Sequence, residues 1–147
     1  MDTARTQFDV IIVGAGPSGI FAALELVRRD GAQVLLVERG PDISQRACPA
    51  RKTGVCSGCE PCDITCGWGG AGAFSDGKLT LTTEVGGWLD AFLPKERLRE
   101  LIDYVDGIWL EYGATDEVHG GGKKADKIRR QALLHGCLLY TSPSPRD

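Results

Sequence analysis

The sequence has no unbroken apolar run of about 18 residues, which excludes a membrane-spanning helix. It has no excess of basic charge: 17 Lys and Arg stand against 20 Asp and Glu, for a formal net charge of −3. That mild acidity gives no electrostatic reason to expect nucleic acid or an anionic membrane as partner. The opening segment, Met1 to Gln7, lacks the charged-then-apolar order of a secretory signal. An extracellular disulfide network is therefore not expected, and the expected location is the cytoplasm. Apolar residues are not scarce at 42%, which excludes a disordered chain. The 147 residues suit one domain, for which about 150 is typical.

Glycine is the residue in excess. There are 20, about twice the usual ~7%. They bunch at Gly14–Gly19, Gly67–Gly77 and Gly120–Gly122.

The first bunch sits in an ordered context. Phe8 to Val13 is short, mostly apolar and β-branched, the pattern of a buried parallel strand. Gly14-Ala15-Gly16-Pro17-Ser18-Gly19 follows at once. Ile20 to Arg29 is apolar enough for a helix against a sheet, and Asp30-Gly31 stops it. Val34 to Val37 reads as a second buried strand ending at Glu38. This is a βαβ unit whose first turn spells G-x-G-x-x-G. Gly14 allows the tight turn, Gly16 lets a pyrophosphate approach the backbone, and Gly19 lets the helix pack closely. The helix N-terminus offers N–H groups and partial positive charge to phosphates. Glu38 lies 19 residues after Gly19, where a carboxylate can accept hydrogen bonds from ribose hydroxyls. A carboxylate there repels a 2′-phosphate, which disfavours an NADP-type ligand. Spacing alone leaves FAD and NAD both open.

The stretch from Val10 to Gly40, with Gly-Ala-Gly-Pro-Ser-Gly and Val-Glu-Arg-Gly, closely resembles the N-terminal FAD-binding motif of glutathione-reductase-like flavoproteins. The resemblance implies FAD as cofactor, with Glu38 holding the adenosine ribose and Arg39 near the adenine. The plain alternative for Arg39 is a solvated surface cation.

Residues 41–78 break the pattern. They hold Pro41, Pro49, Pro61 and many glycines, with little helical or strand period. So long an irregular stretch is usually functional or disordered. Cys48 precedes Cys56, Cys59, Cys62 and Cys66, and the last four read C-x2-C-x2-C-x3-C. That spacing equals the bacterial ferredoxin run for iron–sulfur ligation, except that Gly67 stands where that run has proline. Four readings stay open: an iron–sulfur cluster, a zinc site, a thiol–disulfide pair beside a flavin, and ordinary free thiols.

The segment Cys62 to Leu79, which contains Gly-Trp-Gly-Gly-Ala-Gly-Ala-Phe-Ser-Asp-Gly-Lys, resembles a family described broadly as FAD-dependent dehydrogenases. In related flavoproteins a Gly-Gly loop after the ribose glutamate contacts the FAD pyrophosphate and flavin ring. Carried over, Gly69, Gly70 and Ser75 become candidate contacts. Lys78 is either a solvated lysine or a cation near the flavin.

Downstream, Leu79 to Thr83 is a candidate short strand. Pro94 to Tyr112 reads as an amphipathic helix, with Leu98, Leu101, Ile102, Val105, Ile108, Trp109 and Tyr112 at i, i+3, i+4 spacing. Trp109 is expected to anchor a core. Gly120 to Gly122 reads as a joint. Ala125 to Leu134 reads as a second helix with a basic, solvated face of Lys127, Arg129 and Arg130. His119 and His135 have no visible partners. The ending, Cys137 to Asp147, abandons the helical pattern and resembles a translated sequencing-library adapter.

The expected fold is α/β, a partial Rossmann-like domain with an incomplete parallel sheet. Its expected parts are a dinucleotide-binding unit at 1–40, a Cys/Gly-rich cofactor loop at 41–78, a helical continuation at 79–136 and an artefactual tail at 137–147. The expected function is the N-terminal, FAD-binding part of a flavin-dependent oxidoreductase that transfers hydride or electrons. Its small-molecule substrate or electron acceptor is unassigned, and NAD(P)H is a possible co-substrate of the whole protein. The alternatives are an electron-transfer module with iron–sulfur at Cys56, Cys59, Cys62 and Cys66, and an inactive nucleotide-binding fragment. No acid, base or nucleophile is assigned.

Overall fold

The computed structural model describes residues 7–75, 78–83, 87–118 and 122–137. The chain divides into two compact units, Met1–Lys78 and Leu79–Asp147.

The first unit is α/β. Strand β1 (Val10–Val13) and strand β2 (Val34–Val37) pair in parallel, Val10 opposite Val34 and Val13 opposite Val37. Gly14 N–H donates to the Val37 carbonyl at 2.7 Å, carrying the ladder one step into the glycine turn. Helix α1 (Pro17–Asp30) connects the strands and packs on both. It begins at Pro17 rather than Ile20, because proline's fixed φ is suited to a helix's first turn. The second half of the glycine motif is thus helix. Gly31 ends it at φ 61°, its N–H returning to the Val27 carbonyl at 3.2 Å.

The strands are less buried than their composition predicts. Ile11 is 62% exposed and Val13 85%. Ile12 faces the other way and is half-buried. In a strand, successive side chains alternate faces, and α1 packs on this sheet.

The remainder of the unit is irregular but not unbonded. It holds a 3-10 turn at Ile43–Gln45, a single helical turn α2 (Ala50–Thr53) and a 3-10 segment at Gly70–Phe74. Asp42 caps the first of these, its Oδ1 accepting the Ser44 N–H at 2.9 Å and the Ser44 hydroxyl at 2.7 Å.

In the second unit, a 3-10 turn at Leu89–Ala91 packs against helix α3 (Lys95–Glu111), whose Leu98 and Ile108 are buried. Pro94 precedes α3, and its carbonyl accepts the Leu98 N–H at 3.0 Å. Trp109 is 43% exposed, so it is not the core anchor its spacing suggests. The turn packed against α3 is only three residues long. Leu79 to Thr83 pairs with no strand among the described residues. The Leu81 carbonyl instead accepts Arg99 Nη1 at 3.0 Å. Helix α4 (Gly122–Leu134) starts within the third glycine bunch, with Lys127, Arg129 and Arg130 exposed. His119, Gly120, Gly121 and the tail beyond Cys137 lie outside the described residues. Among those described, no helix is long and apolar enough to cross a membrane.

Candidate functional site

The glycines of the first turn divide into two roles. Gly14 has φ +105°, a conformation open to glycine and strained for other residues. At Gly19 a Cβ would strike the Gly14 carbonyl oxygen, so α1 crosses the turn too closely for any side chain. Gly16 differs from both. Its φ is −73° and a Cβ there would meet nothing within 4 Å. Gly16 is the N-cap of α1, and no side chain caps the helix. The turn therefore presents bare backbone and free space at a helix N-terminus, which is the geometry that receives a phosphate. Ala15 between them is fully buried, and Ser18 is exposed on the first helical turn.

Glu38, at the end of β2, faces this turn. Its Oε2 accepts the Ala15 N–H at 2.7 Å. Its Oε1 accepts the N–H groups of Gly40 and Gly67, both at 2.9 Å. These bonds, Ala15 foremost and then Gly40 and Gly67, hold the carboxyl down to about 2 from 4.5. The group is ionised at any physiological pH. The backbone N–H of Arg39 adds a further, weaker contact to the same carboxylate. Gly40 and Gly67 make this clamp possible, because a Cβ on Gly40 would collide with the backbone of Cys66 and Gly67.

The second glycine bunch lies against the first. Gly69 N–H donates to the Ala15 carbonyl at 2.9 Å. Gly69 and Gly70 have φ +82° and +57°, and a Cβ on Gly70 would sit 3.1 Å from the Gly16 Cα. The structure thus brings Gly69 and Gly70 to the glycine turn. Ser75 is used locally: its hydroxyl donates to the Gly72 carbonyl at 2.9 Å, at the end of the 3-10 segment. Lys78 is exposed, and Asp76 and Gly77 lie outside the described residues.

Sequence reasoning passed over Arg46, the buried charged residue of this unit at 6% exposure. Its Nε donates to the Asp63 carbonyl at 2.8 Å, and its Nη2 to that of Ile64 at 2.7 Å. Its Nη1 donates to the carbonyls of Trp68 at 2.7 Å and Gly70 at 2.8 Å. The guanidinium also lies 4.7 Å from the Phe74 ring centroid. One side chain therefore fastens the loop on both sides of Gly69. No sequence signal marks it, since backbone carbonyls carry no residue type.

The four spaced cysteines do not gather. Among the described residues no three His, Cys, Asp or Glu side chains come together as metal ligands. Cys56 and Cys59 are exposed, while Cys62 and Cys66 bracket a turn closed by Cys66 N–H donating to the Cys62 carbonyl at 2.8 Å. The metal reading of Cys56, Cys59, Cys62 and Cys66 thus gains no support from the described side chains. Arg39 Nη2 donates to Cys66 Sγ at 3.2 Å, and this contact above all pulls the Cys66 thiol below its ordinary value. The Cys62 thiol is also lowered, by the N–H groups of Ile64 and Thr65. Arg39 is exposed and engaged with Cys66. It ties the β2 end to the cysteine turn.

The arrangement suits an ADP-containing cofactor: open backbone at an uncapped helix N-terminus, an ionised carboxylate at the end of the second strand, and a second glycine loop alongside. The family model described as FAD dependent oxidoreductase matches residues 9–64, which includes the turn, Glu38, Arg39 and Arg46. An uncharacterized protein of Clostridium beijerinckii is 45% identical over 71 residues, covering 48% of this chain and 13% of that protein. The chain thus corresponds to a small part of that relative's length. No solved structure matches.

Proposed function

We propose, with the match of residues 9–64 to FAD dependent oxidoreductases as the premise, that the first unit holds the ADP half of an FAD. Gly14, Ala15, Gly16, Pro17, Ser18 and Gly19 form the diphosphate cradle. Glu38 takes a ribose hydroxyl, and Arg39 borders the adenine. Gly69, Gly70 and Ser75 carry the second loop along the pyrophosphate toward the flavin. The observation that carries this reading is the open face of Gly16 at the uncapped start of α1. Bound there, FAD supplies hydride or electron transfer, while the protein orients it.

Glu38 also sets selectivity. Held ionised, it opposes a phosphate on the ribose it binds, so FAD, ADP and NAD-type ligands are favoured over NADP. The oxidoreductase reaction is proposed of a protein on the scale of the relative, of whose length the match covers 13%. The chain alone binds without turnover. Titration of the full chain with FAD and with ADP tests the reading. One-to-one binding in mutual competition supports it, and failure of both to bind contradicts it.

A further inference from the structure

Arg46 carries a full charge into the interior, at 6% exposure. Buried charges are ordinarily matched by an opposite charge, since carbonyl dipoles alone compensate less completely. Here all four hydrogen bonds go to backbone carbonyls, those of Asp63, Ile64, Trp68 and Gly70. Among the described residues no carboxylate reaches ion-pair distance of it. Asp63 offers Arg46 its carbonyl, while its carboxylate accepts the Ala47 N–H at 3.2 Å. Glu38 is engaged by three backbone N–H groups.

The position of this charge is specific. The Trp68 and Gly70 carbonyls that it holds flank Gly69, whose N–H bonds the Ala15 carbonyl in the glycine turn. Gly70 in turn approaches Gly16 so closely that a Cβ would stand 3.1 Å from its Cα. The guanidinium is thus one layer of backbone behind the open face of Gly16. An anion at that face would be the missing counter-charge, and low local polarity would make the attraction stronger than at a surface.

We infer that Arg46 is a positioning residue for the ligand's diphosphate, holding the Gly69–Gly70 backbone against Gly16 and supplying from behind it the cation that balances the diphosphate charge. The inference rests on the proposed nucleotide site, and it adds a residue that never touches the ligand. It separates charge from shape: the effect should follow the phosphates and not the nucleoside.

The test compares ADP with adenosine on the full chain, as wild type, R46Q and R46K. R46Q should weaken ADP by roughly tenfold or more, the order expected for one poorly screened charge, and leave adenosine within about twofold. R46K keeps the charge and should restore much of the ADP preference, even where it lowers the melting temperature. Equal loss of ADP and adenosine in R46Q, with no rescue by R46K, would reduce Arg46 to a structural fastener and overturn the inference. Should the variants not fold, the wild type decides. The Arg46 Nε–H resonance should shift with ADP and not with adenosine, and equal shifts would overturn the inference. Wild type that binds no ADP at all overturns the nucleotide site itself. Wild type that binds ADP, with an unchanged ADP-to-adenosine ratio in R46Q, overturns only the role of Arg46.

Discussion

Glu38 Oε2 accepts the backbone N–H of Ala15 at 2.7 Å, joining the end of β2 to the middle of the glycine turn 23 residues earlier. The same carboxylate reaches forward 29 residues' separation to Gly67. One ionised group thus gathers the turn, the β2 end and the cysteine loop. Its stability contribution has a definite pH sense. The folded carboxyl titrates at about 2 and its ordinary value is 4.5. The contribution is therefore present above about 4.5 and lost as pH falls through about 2. Thermal melts of wild type should fall over that window. Glu38→Gln should melt lower at neutral pH and show a flatter profile over the window. An unchanged profile in the variant would show that the clamp does not form.

Gly19 yields a stability prediction. Gly19→Ala places a methyl group against the Gly14 carbonyl oxygen, which is backbone and cannot move aside cheaply. The expected cost is about 1–3 kcal/mol, the usual range for overpacking. Chemical denaturation of the variant against wild type measures it, and a loss below about 0.5 kcal/mol, the range of a neutral surface change, would mean that α1 does not cross the turn as closely as described.

Cys66 yields a reactivity prediction. The thiolate is the reactive form, and Arg39 favours it by a contact of 3.2 Å. Because the thiol titrates below its ordinary value, alkylation of Cys66 should set in at lower pH in the folded chain than in the urea-unfolded chain. Peptide mass spectrometry after brief iodoacetamide exposure across a pH series reads this directly. Arg39→Ala should move the Cys66 profile to higher pH. Coincident profiles in wild type and variant would remove the Arg39–Cys66 pairing.

The parts of this fold that a reader of the sequence could see are those set by local pattern. β1, α1 and β2 follow from apolar runs, a glycine turn and a left-handed glycine stop, all within neighbouring residues. The start of α1 at Pro17 was obscured because the glycine motif reads as a turn throughout, although proline prepares its second half for helix. Arg46 was not legible, because its partners are carbonyls 17 to 24 residues away in an irregular segment. The Glu38–Gly67 bond was hidden for the same reason. Cysteine spacing by itself was not decisive, since intervals along the chain bring sulfurs together only where the backbone closes around one centre. Leu79 to Thr83 has strand composition, yet a strand also needs a neighbour, and composition cannot supply one.

The central claim is that open backbone at Gly16 receives a diphosphate, and Gly16→Val tests it most directly. A Cβ at this position meets nothing within 4 Å and φ is ordinary at −73°, so the variant should fold as wild type does. Its branched side chain would fill the space the diphosphate requires. The measurement is FAD affinity by titration, wild type against Gly16→Val, with far-ultraviolet circular dichroism of both. The account predicts matching spectra with FAD binding weakened by about a hundredfold or more, roughly 2.7 kcal/mol of lost binding. Matching spectra with undiminished FAD affinity would contradict it.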